Sequence, residues 1–187
     1  MGYYDHKRNV EKYITMMEGF DNTAIIEAVY DSLPAGKTLL ELGVGAGVDL
    51  DKLKKAYTVT GSDASKAFLD AYRKKDPDTP LLKLDAATLA TEATFDYIYS
   101  NKVLIHLTDE ALEQSFKNQA ERLNNGGLVF HTFWFGHDKK HYHGMLFNNH
   151  TPEEIEKIAS PWFTRVRDLR YTEMDPDDSF YIVLAKK

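Results

Sequence analysis

Thr38-Leu39-Leu40-Glu41-Leu42-Gly43-Val44-Gly45-Ala46-Gly47-Val48-Asp49-Leu50 is the stretch that decides how the chain folds. An apolar run with an acidic residue near its end gives way to three alternating glycines, and a helical pattern resumes at Leu50 and Leu53. The order reads as strand, tight loop and helix. Glycine lacks a Cβ, so Gly43, Gly45 and Gly47 can take positive φ and bring backbone N–H groups close to a ligand at the open end of a strand. The spacing separates this loop from two phosphate cradles. G-x-G-x-x-G fails because Val48 or Leu50 stands where the last small residue is needed, and G-x-x-x-x-G-K-[ST] fails because Val48 follows Gly43 at the second glycine position.

A chain of 187 residues suits one domain with a substantial core, and 43% hydrophobic with 28% charged residues is an ordinary globular balance. No run approaches the ~20 apolar residues of a membrane span, and the first residues lack the apolar core of a signal peptide. His6 stands where N-myristoylation after Met1-Gly2 would want Ser or Thr. The absence of cysteine excludes disulfides and thiolate metal sites and makes a cytoplasmic location the expectation. A net charge of -6 implies no broad cationic surface, so no nucleic-acid partner and no membrane partner is expected.

Upstream of the glycine loop, Val10, Tyr13, Ile14 and Met17, then Ile25, Ile26, Val29, Tyr30 and Leu33, fit two amphipathic helices broken near Gly19-Phe20-Asp21-Asn22. They can cover a sheet face or fold over a ligand as a lid. Downstream, Tyr57 to Ser62 is a β-branched strand with Asp63 at its end, 22 positions after Glu41 as one βαβ unit requires. Ser65 can cap the next helix, which leaves Asp63 free for ribose hydroxyls. Leu81 to Leu84 is a third strand ending in Asp85-Ala86, and Phe95 to Ser100 a fourth, left through Asn101 to Leu107. Thr108 caps a helix that stops at Asn124-Asn125-Gly126-Gly127, and Leu128 to Trp134 is a buried fifth strand. Residues 136–150 read as a polar and aromatic loop; Thr151-Pro152-Glu153-Glu154 opens a helix with a capping box, and two strands flank Asp175-Pro176-Asp177-Asp178.

The stretches LELGVGAG (40–47), TGSDAS (60–65), LKLDAATL (82–89), FDYIYSNKVLIHL (95–107) and LNNGGLVFHTFW (123–134) resemble, in order and spacing, the successive motifs of the class I S-adenosylmethionine-dependent methyltransferases. The resemblance implies an α/β, Rossmann-like fold with a seven-stranded, mostly parallel sheet, an antiparallel last strand and helices on both faces. It implies one domain over 1–187: a helical N-terminal lid at 1–36, a cofactor-binding core at 37–135, and an acceptor-side loop, helix and strand pair at 136–187. The cofactor is then S-adenosyl-L-methionine, leaving as S-adenosyl-L-homocysteine, and the partner a small-molecule methyl acceptor.

Carried over motif by motif, Gly43, Gly45 and Gly47 would pass the methionine and ribose portions, and Glu41 would support the loop. Asp63 would hold the ribose hydroxyls, Ala64 and Ser65 border the adenine, Asp85 and the Ala86 N–H read its edge, and Asn101 meet the methionine end. Lys102 stands where a small or apolar residue is expected and is read as facing solvent. His106 and His131 are the candidates for a base, each equally readable as a structural histidine. The histidines from His137 to His150 form no compact ligand set, so no metal is expected, and Trp134, Phe135, Tyr142 and Phe147 are the expected acceptor wall. Two rivals remain: an aminopropyltransferase, which would want Asp where Ser100-Asn101 stands, and a donor-binding subunit without catalysis. Acceptor, oligomeric state and pathway are not legible.

Overall fold

Two helices lead into the sheet, as the break near Gly19 predicts: α1 (Lys7–Met16), after a 3-10 turn at Tyr3–Asp5, and α2 (Thr23–Ser32). Asp21 Oδ1 accepts the Thr23 N–H at 2.9 Å, so Asp21, and not the neighbouring Asn22, satisfies an early amide of α2. The structure, a computed structural model, describes residues 3–187; Met1 and Gly2, with the myristoylation reading made on them, lie outside the described residues. β1 (Thr38–Leu42) runs into the glycine loop, and α3 (Val48–Leu53) starts on Gly47 at φ 77°. β2 (Thr58–Asp63), α4 (Lys66–Lys75) capped by Ser65, β3 (Leu81–Lys83) and β4 (Phe95–Asn101) follow. A 3-10 turn at Leu104–His106 leads to α5 (Asp109–Arg122), capped by Thr108, and then to β5 (Leu123–Trp134).

Residues 136–150 differ from the expected loop. They hold a hairpin, β6 (Lys139–Tyr142) and β7 (Met145–Asn148), whose register pairs Tyr142 with Met145. The two residues between them, His143 and Gly144, sit at φ 51° and 77°, the handedness that a tight two-residue hairpin turn demands. His-Gly is a weaker sequence signal for that turn than Asn-Gly, which is why it reads as loop. α6 (Pro152–Ala159) opens with the predicted capping box, and β8 (Phe163–Tyr171) and β9 (Ser179–Lys186) close the chain.

The main sheet has seven strands in the order β3-β2-β1-β4-β5-β9-β8, with β9 antiparallel to both of its neighbours and the other pairs parallel. Alternation sorts its side chains into two cores. Leu40, Leu42, Ile98, Val129, Phe133 and Ile182 pack with Leu112 and Phe116 of α5 and Ile155 of α6. Leu39, Tyr97, Tyr99, Phe130, Tyr181 and Val183 pack with Val29 of α2, Leu50 of α3 and Leu69 of α4 on the other face. Because β1 lies between β2 and β4, the chain leaves it in opposite directions, which makes its carboxyl end the topological switch point where such sheets take ligands. Among the described residues no helix is long and apolar enough to cross a membrane.

Candidate active site at the carboxyl edge of β1, β2 and β4

Glu41 is 2% exposed, opposite Tyr99 of β4 on one side and Gly61 of β2 on the other, and its Oε2 has no hydrogen-bond partner. Burial, with Asp49, Asp63 and Asp51 nearby, pushes its carboxyl pKa well above the ordinary value. The glycine loop beyond it spends its amides internally: Gly43 and Val44 donate to Ser62 O at 2.8 and 2.9 Å, Gly47 to Val44 O, and Gly45 to Asp63 Oδ2 at 3.0 Å. These bonds give the loop a fixed shape and leave it fewer N–H donors than the glycine pattern alone suggests. Gly43, at φ 74°, lies so close to the segment leaving β4 that a Cβ would fall 2.4 Å from Val103 Cγ2.

Asp63 is not free either. Its Oδ1 accepts the Ser65 N–H at 2.8 Å while Oδ2 holds Gly45, which ties the end of β2 to the loop. Burial raises its pKa and these two amides oppose the rise. A carboxylate has about four acceptor directions, so two remain for hydroxyls. Ser65 caps α4 as predicted, accepting the Phe68 N–H at 3.4 Å, and donates to Tyr4 O at 2.6 Å; Ala64 beside it is exposed. Asp85 stands just past β3, exposed, with Oδ1 accepting Ala87 and Thr88 N–H; Ala86 is half-buried against the α5 side.

The sequence reading missed Asp49, in the first turn of α3. Its Oδ2 accepts Tyr99 Oη–H at 2.7 Å and Asn101 Nδ2–H at 3.1 Å. Asn101 Oδ1 in turn accepts Thr132 Oγ1–H at 2.6 Å, and Thr132 Oγ1 accepts the Lys102 N–H at 2.9 Å. An acidic residue there reads as ordinary helix-dipole complement, so no sequence signal sets it apart.

Lys102 does not face solvent. Its side chain, 13% exposed, reaches Glu173 Oε2 at 2.8 Å, Ser179 Oγ at 2.6 Å and Phe133 O at 3.1 Å, with the Trp134 ring centroid 3.8 Å away. Three ammonium protons find three acceptors, which is how a buried lysine stays charged although burial lowers its pKa. Trp134 and Phe135, expected on the acceptor wall, instead carry the Lys102 ammonium and the Arg170 guanidinium on their faces.

His131 is corrected from candidate base to core residue. It is fully buried, Nδ1 meets Ser100 Oγ and Nε2 meets Gln119 Oε1, each at 2.8 Å, and burial lowers its pKa to about 3. His106 differs. Its Nδ1 lies 2.7 Å from Leu146 O, and a carbonyl only accepts, so Nδ1 carries the proton and Nε2 keeps a lone pair. Burial lowers its pKa and favours that neutral form. Two segments meet above this edge. Tyr13 of α1 packs on Tyr4 and Phe68, with its Cε1 3.4 Å from where a Gly45 Cβ would stand, and Tyr3 stacks on His143 of the hairpin turn at 5.0 Å.

A glycine loop at the switch point of a seven-stranded sheet with its last strand reversed, acidic along its carboxyl edge, defines the class I S-adenosylmethionine-dependent methyltransferase fold. Residues 39–127 match the family model of a methyltransferase domain. An uncharacterized methyltransferase of Oceanobacillus iheyensis is 37% identical over 94 residues, which are 49% of this chain and 44% of the relative's own length. The N-methyltransferase NodS of Bradyrhizobium japonicum, solved with S-adenosyl-L-homocysteine, superposes with a TM-score of 0.74 over 96% of this chain and 97% of its own at 15% identity. The 1,6-didemethyltoxoflavin-N1-methyltransferase of Burkholderia thailandensis gives 0.75 over 99% and 83% at 18% identity. At these identities the structural likeness is one of fold.

Proposed function

We propose that the protein transfers a methyl group from S-adenosyl-L-methionine to a small-molecule acceptor by direct displacement, leaving S-adenosyl-L-homocysteine. The observation that carries this reading is the buried, unpartnered Glu41 Oε2 among Asp49, Asp63 and Asp51, beside the topological switch point of the sheet. An enclosed acidic edge whose neighbouring cations, Lys52 and Lys102, are engaged with other partners suits a cationic ligand. The donor suits that edge chemically, and its sulfonium supplies an activated methyl.

The residues divide the work. Asp63 holds the ribose hydroxyls through its two remaining acceptor directions, with Ala64 and Ser65 along the adenine and Asp85 and Ala86 at its edge. Gly43, Gly45 and Gly47 let the ligand lie against the backbone, and Asn101 meets the amino-acid end. His106 receives the acceptor's proton at Nε2 while Leu146 O holds Nδ1–H, which orients the ring. Residues 1–36 act as a lid: Tyr13 lies over Gly45 and moves for the donor to come and go. Proximity and exclusion of water then carry much of the rate. A small acceptor suits an edge over which Tyr13 and the Tyr3–His143 stack leave limited room, and the 1,6-didemethyltoxoflavin-N1-methyltransferase among the similar structures was solved with 1,6-didemethyltoxoflavin bound.

The test is a screen of small nucleophiles with the donor, followed by mass spectrometry. A gain of one methyl by the acceptor with equal formation of S-adenosyl-L-homocysteine is expected, and His106→Gln is expected to lower kcat with little change in donor affinity. Donor hydrolysis alone, or no product with any acceptor class, would overturn the assignment.

A further inference from the structure

Asp49 does more than complement a helix dipole. A carboxylate in the first turn of α3 ordinarily turns back on its own helix amides. This one reaches across to β4 and is held there by two donors, Tyr99 Oη and Asn101 Nδ2. Both bonds fall on Oδ2, and among the described residues Oδ1 takes no hydrogen bond. The partners are themselves fixed: Tyr99 is fully buried, and flipping the Asn101 amide would give up the Nδ2–H bond and set its oxygen against the Asp49 carboxylate, while its present Oδ1 accepts from Thr132. The carboxylate is therefore presented at a set position with one oxygen to spare.

A second observation points to a ligand there. Glu41 lies opposite Tyr99 in the sheet register and so shares a face with it, on the α3 side; its Oε2 is buried without a partner. Two acidic groups thus converge beside Tyr99. The neighbouring cation, Lys52, is engaged with Asn22, Thr23 and Asp21, and Lys102 is engaged with Glu173. The other charged or titratable groups that bear on Asp49 are Glu173 and Tyr13, neither of which supplies a positive charge. The switch-point edge is polar in sense as well. Asp63 stands at its β2 end and Asp49 with Asn101 at its β4 end, so a ligand whose ribose lies at Asp63 carries its far end to Asp49.

Resting on the donor assignment above, we infer that the Asp49 carboxylate, with Glu41 behind it, is the seat of the donor's α-ammonium group, so that Asp49 selects donors with an intact amine over their adenosine half. A charged hydrogen bond between ammonium and carboxylate is short and about twice as strong as a neutral one, and the enclosed site strengthens it further.

Calorimetric titration with three ligands tests this: S-adenosyl-L-homocysteine, its decarboxylated form, which keeps the amine, and 5′-methylthioadenosine, which has neither amine nor carboxylate. The wild type is expected to bind the first two more tightly than the third by about tenfold or more, and Asp49→Asn to lose that margin while binding 5′-methylthioadenosine within about twofold of wild type. Asp63→Asn serves as contrast, since losing a ribose contact weakens all three ligands. An Asp49→Asn protein that weakens all three alike would make Asp49 a packing residue of the loop, and one that weakens none would remove it from the site; either result overturns the inference. Failure of the wild type to bind any of the three would instead strike the donor assignment. Should Asp49→Asn fold poorly, Tyr99→Phe is the second check: losing one of the two donors that fix the carboxylate is expected to narrow the amine margin while leaving 5′-methylthioadenosine binding within about twofold, and an unchanged margin would overturn the inference.

Discussion

The approach of the glycine loop to the segment leaving β4 can be broken and repaired with two substitutions. Gly43→Ala places a methyl 2.4 Å from Val103 Cγ2 and 3.0 Å from Cγ1, at a backbone φ of 74°. Left-handed backbone costs a residue with a Cβ about 1–2 kcal/mol. Forcing one methyl into occupied space typically costs about 1–3 kcal/mol more. The sum, about 2–5 kcal/mol, corresponds to a fall in Tm of roughly 5–15 °C for a chain of this size. Val103→Ala removes both clashing methyls and leaves only its own Cβ, at 3.3 Å. The double variant should therefore recover the steric part and keep the backbone part, giving a coupling of about 1–3 kcal/mol of favourable sign. The assay is a four-protein urea cycle read by circular dichroism, with the slope checked for constancy. Additive effects, within about 0.5 kcal/mol, would refute the claimed contact. The contact matters to function because Val103 precedes the turn that carries His106, so the glycine sets where that ring stands.

Other outcomes follow from the same interactions. Lys102→Met should cost about 3–5 kcal/mol in urea unfolding by leaving Glu173 buried without its cation, and Lys102→Met with Glu173→Leu should recover much of it; a single variant as stable as wild type would contradict the enclosed pair. His131 gives a pH signature whose sign is fixed, since the unfolded chain takes up the proton near the ordinary histidine value of about 6.5 and the folded chain only at about 3. Its contribution is intact above about pH 6.5 and declines on acidification by about 1.4 kcal/mol per unit, or about 2 kcal/mol by pH 5. The stability gap between wild type and His131→Gln should narrow by that amount over this interval, and a constant gap would show that the imidazole titrates normally in the fold.

The sheet was legible because short apolar runs with acidic ends repeat at βαβ spacing, as strands buried on both faces require. The hairpin was not, since its turn relies on His143 in a left-handed conformation that composition does not announce. At the site, Glu41, the three glycines, Asp63 and Asn101 gather around the switch point because each stands at a strand's carboxyl end, where sequence position and location coincide. Asp49 and Lys102 escaped for the opposite reason. Their roles are set by side chains up to 77 positions away, such as Tyr99 for one and Ser179 for the other, and no local pattern encodes such partners. His106 and His131 looked alike in sequence and parted only when burial and partners were known: one keeps a bare nitrogen, the other none.

The most direct measurement of the central claim is calorimetric titration of S-adenosyl-L-homocysteine into the wild type and Asp63→Asn. Saturable binding at one site per chain is predicted, weakened in the variant by at least about tenfold, which is about 1.4 kcal/mol. Equal affinity in the two proteins, or no binding by the wild type at millimolar ligand, would contradict a donor lying across the ends of β1, β2 and β4.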